Sequence, residues 1–332
     1  MKPLRLLLFL AALGLAIGII LHLGPERIWA NIRLAGWGIL LVFLVGFPRF
    51  LLYTLSWRVF LPKKAYSLGR LYQIKIAGEL ITRSTPAHFV GGDTARVLLM
   101  GKNLPRKVQA GSVIMDRTVM TLGAAVMVLL GLLIGSFRLP LPWPPKLALW
   151  VLVGSLFWGL SFIISHQKRS ALVSLLKLID RIGHWIPDRW KGRAAEVDLI
   201  IRGYYDEGHG KLTKAVVYNV FSRILAAMEI YIFMLFLQIP LGPLDAILFA
   251  SLALLITVAF FFFPGNLGVN EGAYGLLFFF LGLDPATGVS LELLRKANSI
   301  LWVAAGGVVA LTFRFKRQIP LAKMKTIEEK DS

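Results

Sequence analysis

The sequence contains no cysteine, so disulfide bonds, thiolate metal sites and cysteine nucleophiles are excluded. Its five histidines are scattered and none forms a His-Glu-x-x-His pair, which argues against catalytic zinc. Neither a Gly-x-Ser-x-Gly motif nor a P-loop is present, so serine hydrolysis and direct use of ATP are not indicated. We therefore predict no metal, no cofactor and no catalytic residue.

Acidic residues are scarce as well: 18 stand against 37 Lys and Arg, for a formal net charge of +19. In a soluble protein this imbalance would indicate nucleic acid binding. Here the basic residues cluster between apolar runs, as Lys and Arg do in the cytoplasmic loops of membrane proteins. We predict no nucleic acid partner, a cell-membrane location and two cytoplasmic termini. The clusters lie at 58–75, 102–107, 168–214 and 314–318.

Apolar residues are abundant: the chain is 57% hydrophobic, with a mean hydropathy of +0.69. Runs of about twenty apolar residues match a hydrocarbon core of roughly 30 Å crossed at about 1.5 Å per residue. We predict an all-α polytopic membrane protein with about six full transmembrane helices and two broken or re-entrant hairpins. The helices are predicted near 5–23, 36–56, 111–137, 147–165, 215–237 and 290–312, and the hairpins at 68–103 and 244–283.

Two polar stretches interrupt the apolar sequence, PAHFVGGD (86–93) and PGNLGVNE (264–271). In each, a proline is followed seven residues later by an acid. Twenty-four residues after the acid comes an arginine, Arg117 in one case and Arg295 in the other. Each arginine lies about six residues inside its predicted helix. The shared spacing indicates that the two stretches are matching parts of one intramembrane site.

The order of the predicted elements indicates an inverted repeat. Each half reads helix, helix, broken hairpin, helix, and the second helix of each half contains an arginine, Arg49 or Arg223. Because the first half starts inside and the second outside, we predict inverted repeats at residues 1–140 and 141–318, followed by a polar tail at 319–332. Inverted repeats with discontinuous helices are a transporter design. Chance agreement between common residues is the alternative.

Proline and glycine supply the predicted breaks, because proline removes an amide donor and glycine permits backbone geometry that other residues avoid. Non-helical backbone at membrane depth is tolerated where it is buried in protein or lines a water-filled cavity. We expect both breaks to face an internal cavity, with ordinary helix kinks as the alternative. The predicted hinge residues are Pro86, Gly91, Gly92, Pro264, Gly265, Gly268 and Gly272.

Ionisable residues within apolar spans are costly and indicate a functional interior. The planar guanidinium group of arginine and the free backbone amides of a broken helix both donate hydrogen bonds to phosphate oxygens. We therefore predict a lipid head-group site. The predicted head-group residues are Arg83, Arg96, Arg117, Arg223 and Arg295. The predicted acids, which pair with arginines in the empty site or take up a proton or cation, are Glu79, Asp93, Asp116 and Glu271.

Structural roles are the alternatives for several of these residues. Glu79 and Arg83 stand one helical turn apart and could form an ion pair. Asp116 and Arg117 lie near a predicted helix start and could snorkel to the interface. Arg223 lies too deep for easy snorkelling, and a structural pair with Glu229 or Glu271 is its alternative role.

The motifs GELITR (78–83), GGDTAR (91–96), IMDR (114–117) and FPGNLGVNEG (263–272) resemble the flippase-like integral membrane family. That family includes the transmembrane region of lysylphosphatidylglycerol synthases, the multiple-peptide-resistance proteins. The resemblance implies movement of lipids between leaflets, such as an aminoacylated phospholipid, a hopanoid or a polyprenyl-linked glycolipid. About twenty polar residues follow the last helix, so we expect the soluble aminoacyl-transferase domain of the synthases to be absent.

We therefore predict a transporter that moves an anionic or polyprenyl-phosphate lipid between leaflets. One alternative is a membrane enzyme acting on a lipid-linked phosphate or sugar. The other is a non-catalytic partner that docks a soluble enzyme through residues 166–214. This stretch has apolar positions at helical spacing, which predict a helix lying on anionic inner-leaflet lipid or capping the bundle. A homodimer or a soluble lipid-modifying enzyme are the other expected partners.

Overall fold

The computed structural model describes residues 2–84, 88–139, 142–167, 172–174, 176, 180, 188–206, 209–260 and 266–312. This part of the chain is helical and contains no β-strand. In the first half the helices are α1 (Lys2–Leu23), α2 (Pro25–Ala35), α3 (Gly38–Arg58), α4 (Leu68–Ser84), α5 (His88–Leu99) and α6 (Arg106–Arg138). They are followed by α7 (Trp143–Gln167), α8 (Asp188–Asp206), α9 (His209–Phe236), α10 (Pro243–Ala259), α11 (Val269–Phe280) and α12 (Pro285–Thr312).

The helices confirm the prediction of an all-α polytopic membrane protein. Four of the described helices are long and apolar enough to cross a membrane, namely Gly38–Arg58, Arg106–Arg138, Trp143–Phe162 and Gly210–Phe236. A fifth span is added if α1 and α2, which meet at an angle of 91°, are counted together. The predicted number of six full spans stays a prediction.

The stretch 24–35, which separates the predicted helices 5–23 and 36–56, contains the helix α2. Gly24 has a φ of 93°, a left-handed conformation that favours glycine, and Pro25 then supplies the first helical residue. Ile28 and Ala35 lie seven residues apart on one face and are buried against neighbouring helices. The sequence analysis did not recognise this apolar face among the charged residues of the stretch. Helix α2 packs against α12.

Both predicted hairpins are present as pairs of helices, α4 with α5 and α10 with α11. Residues 85–87 and 261–265 lie outside the described part of the chain, and with them the predicted hinge residues Pro86, Pro264 and Gly265. The assignment of Gly91 and Gly92 to the break itself is wrong, because both lie inside α5. Gly268 precedes α11 with a φ of 77°, whereas Gly272 is helical.

The two halves pack against each other in a reciprocal pattern. Helix α6 packs against α10 of the other half, α12 packs against α4, and α3 packs against α9. The approach is close: a Cβ on Gly306 would lie 2.9 Å from the carbonyl oxygen of Ile76, and one on Gly131 would overlap Ser251. An inverted repeat would produce this reciprocal packing. The boundaries of the two repeats stay a prediction.

Candidate functional site

Ionisable side chains of α4, α5 and α6 form a connected network, called here the first-half cluster: Lys75, Asp93, Arg96, Asp116 and Arg117. The Asp116 carboxylate accepts from Lys75 at 2.5 Å and from Arg96 at 2.7 Å. Asp93 accepts two hydrogen bonds from Arg117, at 2.9 and 3.0 Å, and a longer one from Arg96 at 3.3 Å. Three cations therefore share two acids, and the cluster ties three helices together.

Burial separates two roles within the first-half cluster. Asp116 is fully buried, so the snorkelling alternative is wrong for it. Arg96 is 4% exposed, and its guanidinium lies 4.1 Å from the centre of the Trp57 ring. We therefore reassign Arg96 from head-group binding to holding α5 against α3 and α6. Arg117 is half-buried and faces a cavity.

The second half carries its own group, called here the second-half cluster: Glu271, Glu292, Arg295 and Lys296. Arg295 donates to the fully buried Glu292 at 2.5 and 2.7 Å, and Asn270 donates to the same carboxylate at 3.1 Å. Lys296 donates to Glu271 at 2.6 Å. Glu271 thus hydrogen bonds to a lysine, where a pair with an arginine was one of its two predicted roles. The other predicted role, uptake of a proton or cation, stays a prediction. The sequence analysis missed Glu292 and Lys296, although their i, i+4 spacing on α12 was visible.

Arg49 and Arg223 lie between the two clusters, on the packed helices α3 and α9. The guanidinium of Arg49 forms an ion pair with Glu229 at 2.6 Å, and Asn298 donates to the same carboxylate at 3.3 Å. Arg223 donates to the side-chain oxygen of Asn219 at 3.1 Å and to the Met120 carbonyl at 2.6 Å, both neutral groups. Glu229 and Glu271 thus have other cationic partners, and the predicted alternative of an acid pair for Arg223 is wrong.

A cavity of about 460 Å³, called here the larger cavity, opens beside the first-half cluster. Among the described residues, four cationic side chains and one acid line it: Arg49, Lys75, Arg117, Arg223 and Glu79. Apolar side chains of α6, α7 and α10 line the same cavity, among them Val128, Val153, Phe157, Leu160, Leu254 and Leu255. The space therefore combines groups that can bind an anion with groups that can pack against hydrocarbon.

A second space of about 200 Å³, called here the smaller cavity, lies toward the second-half cluster. Its polar lining includes Arg49, Arg223, Glu229, Arg295 and Asn298. Arg49 and Arg223 line both cavities, together with Tyr53, Leu254 and Thr257. The two arginines therefore lie at the boundary where the two cavities meet.

The structure brings most of the predicted head-group arginines to these cavities. Arg117 lines the larger cavity, Arg295 lines the smaller one, and Arg223 lines both. The side chain of Arg83 lies outside the described part of the structure. Arg117 follows the start of α6 by eleven residues and Arg295 follows the start of α12 by ten. At about 1.5 Å per residue each lies roughly 15 Å along its helix, deeper than the six residues predicted.

Comparison with known proteins identifies the family. The family model of the lysylphosphatidylglycerol synthase transmembrane region matches residues 4–307. No curated protein and no solved structure matches the chain. Because the match covers most of the sequence, the chain belongs to the lysylphosphatidylglycerol synthase transmembrane-region family, which confirms the resemblance drawn from its motifs.

Proposed function

We propose that this member of the lysylphosphatidylglycerol synthase transmembrane-region family moves a lipid with an anionic, phosphate-containing head between the leaflets of the cell membrane. The observation that carries the proposal is the larger cavity, which Arg49, Lys75, Arg117 and Arg223 line together with apolar side chains. Arginine forks match phosphate oxygens, and an apolar wall suits an acyl or polyprenyl chain. Both termini are proposed to be cytoplasmic, from the distribution of basic residues.

Arg223 is the proposed central head-group residue. Arg117 and Lys75 are held by carboxylates of the first-half cluster, and Arg49 is held by Glu229. The hydrogen bonds of Arg223 go to an amide oxygen and a backbone carbonyl, so within the described part of the chain no acid is seen to compensate its positive charge. An arriving phosphate would therefore find the least competition at Arg223.

The two cavities together give the lipid head group a route through the protein. A head group bound beside Arg117 in the larger cavity can pass to Arg295 in the smaller cavity through Arg49 and Arg223, which line both. In an inverted repeat the two ends of this route open to opposite leaflets as the halves rock. The lipid tail would stay beside the apolar residues of α7 and α10.

The test of this function is Arg223→Ala in purified protein reconstituted into vesicles, with a head-labelled phosphatidylglycerol as the probe. A charge-assisted phosphate contact contributes about 1.5–3 kcal/mol, so we expect a loss of roughly tenfold or more in lipid affinity and a matching loss of lipid movement. Because Arg223→Ala leaves no acid without its cation, the thermal unfolding temperature should change little. The matched control is Arg27→Ala, which removes an exposed arginine on α2.

Four outcomes would contradict the proposed function or the role of Arg223 in it. Wild-type protein that moves no lipid in vesicles would remove its basis. Chemical turnover of the lipid would favour the membrane enzyme, and a soluble enzyme that copurifies through residues 166–214 would favour the docking partner. If Arg223→Ala unfolds without a separable transport defect, the arginine is structural.

A further inference from the structure

Tyr53 of α3 lines both cavities, and its hydroxyl forms no hydrogen bond in the described part of the chain. The side chain is only 9% exposed. The two other buried tyrosines of the described chain behave differently. Tyr66 accepts a hydrogen bond from Gln109 at 3.2 Å, and Tyr274 donates to the Phe249 carbonyl at 3.1 Å. Because a buried phenol normally has such a partner, the hydroxyl of Tyr53 indicates a ligand at the cavities.

The ring of Tyr53 is held in place by contacts that do not involve its hydroxyl. The Phe50 ring packs against it with 6.3 Å between the ring centres, and the Lys75 ammonium lies 5.7 Å from its centre. A phenylalanine at this position would keep both contacts. The hydroxyl can therefore be removed without disturbing the ring.

The other neutral hydroxyl groups that line the larger cavity in the described chain already donate their hydrogens. Thr82, Thr121 and Thr257 each donate to the carbonyl of the residue four positions earlier in the same helix, at 3.0, 3.0 and 2.7 Å. These bonds belong to the helices themselves. A phosphate that enters the larger cavity therefore meets in Tyr53 a neutral donor that is not engaged by the helix backbone.

Two arginines line the same pair of cavities as Tyr53, namely Arg49 and Arg223. Arg49 precedes Tyr53 by four residues, which places both on one face of α3. Helix α9, which carries Arg223, is joined to α3 at this level, because the Ser222 hydroxyl donates to the Arg49 carbonyl at 2.9 Å. The phenol and the two guanidinium groups therefore share the boundary of the two cavities.

We propose that Tyr53 binds the phosphate of the transported lipid together with Arg223, the phenol donating to one unesterified oxygen and the guanidinium to the other. This inference rests on the proposed function. A phosphodiester has two such oxygens and one negative charge, so one cation and one neutral donor match it. Because Tyr53 lines both cavities, its hydrogen bond can be kept while the head group passes from one cavity to the other.

The test is Tyr53→Phe in detergent-purified protein, titrated calorimetrically with dioctanoyl phosphatidylglycerol. Loss of a hydrogen bond to a charged oxygen should weaken binding roughly tenfold. Dioctanoylglycerol, which has the same tails and no phosphate, should bind to wild type and variant equally. The thermal unfolding temperature without lipid should not fall, because the variant loses no hydrogen bond within the described chain.

The matched control is Tyr204→Phe, which removes a hydroxyl that donates to the Phe60 carbonyl at 2.7 Å. Tyr204 lines neither cavity in the described structure. This variant should lower the unfolding temperature, because it leaves a carbonyl without its donor, and should keep the wild-type affinity for phosphatidylglycerol. The two variants therefore separate a binding hydroxyl from a structural one.

A double-mutant cycle tests whether Tyr53 and Arg223 bind the same phosphate. The variant with both Tyr53→Phe and Arg223→Ala should lose less affinity than the product of the two single losses, because groups that share one ligand are coupled. Losses that multiply would show that the two residues contact separate parts of the lipid, and would overturn the shared site.

The remaining outcomes distinguish this inference from the proposed function. Equal phosphatidylglycerol affinity in wild type and Tyr53→Phe would overturn the inference and leave the proposed function standing. An equal loss of affinity for phosphatidylglycerol and dioctanoylglycerol, or a Tyr53→Phe variant that does not fold, would also overturn it, because the hydroxyl would then be structural. Wild-type protein that binds phosphatidylglycerol no more tightly than dioctanoylglycerol would instead remove the proposed function.

Discussion

The two halves of the molecule carry charged clusters at corresponding places, but they build them differently. In the first-half cluster the charged side chains come from three helices, with Lys75 on α4, Arg96 on α5 and Asp116 on α6. In the second-half cluster Glu292, Arg295 and Lys296 all stand on α12, and only Glu271 comes from a neighbouring helix. The first cluster therefore fastens its hairpin to the following helix more extensively than the second.

The residues at equivalent distances before each proline explain this difference. Lys75 and Glu79 precede Pro86 by eleven and seven residues, and the equivalent positions before Pro264 are Ala253 and Thr257. Helix α10 thus lacks the charges of α4. It is joined to α6 through Ser251, whose hydroxyl donates to the Met127 carbonyl at 2.6 Å. These equivalent positions are therefore helical in both halves but differ in the charge that they carry.

The largest effect is expected at the centre of the first-half cluster. Asp116→Asn removes the charge that holds Lys75 and Arg96, leaving two buried cations without their shared acid. Breaking a buried pair this way costs about 3–5 kcal/mol, so we expect a large fall in the thermal unfolding temperature in detergent. Glu196→Gln, in an exposed pair with Lys107, is the control and should change little. An unchanged unfolding temperature for Asp116→Asn would show that the cluster does not anchor the hairpin.

The second prediction compares the equivalent arginines of the two halves. Arg117→Gln and Arg295→Gln should each weaken lipid capture roughly tenfold, Arg117→Gln from the inner leaflet and Arg295→Gln from the outer. The measurement is leaflet-resolved uptake of labelled phosphatidylglycerol in oriented vesicles. Equal losses from both leaflets in both variants would indicate one shared central site.

These two variants should also differ in stability. Arg295→Gln deprives the fully buried Glu292 of its arginine, whereas Arg117→Gln affects Asp93, whose side chain is 23% exposed. Water can solvate Asp93 better than Glu292, so we expect the larger drop in unfolding temperature for Arg295→Gln. The opposite order would mean that exposure does not govern the cost of these pairs.

The smallest expected effect concerns the contact between α4 and α12. Gly306→Ala would place a methyl group 2.9 Å from the Ile76 carbonyl oxygen and 3.1 Å from Leu80, forcing the helices apart at a cost of about 1–3 kcal/mol. Its neighbour supplies a matched control, because a Cβ on Gly307 meets nothing within 4 Å. Gly307→Ala should keep the wild-type unfolding temperature. If both variants behave alike, close packing at Gly306 does not stabilise the fold.

Apolar runs and a few motifs were enough to predict the class of fold, most helix positions and the family. Long apolar runs can satisfy their backbone groups in lipid only as helices, which is why the predicted spans agree with α3, α6, α7 and α9. Charged residues within such runs also showed which side chains were functional candidates, because a charge in an apolar span must have a partner or a purpose. Arg117, Arg223 and Arg295 were found in this way.

Which charged side chains meet depends on how the helices pack and could not be predicted from the sequence. Lys296 pairs with Glu271, Arg49 pairs with Glu229, and Arg96 is buried against Trp57, and each of these contacts joins two different helices. Sequence spacing defines the neighbours of a residue within one helix, whereas ion pairs between helices depend on how the helices pack and rotate. The two cavities, and the position of Arg49 between its acid and the lipid space, follow from that packing.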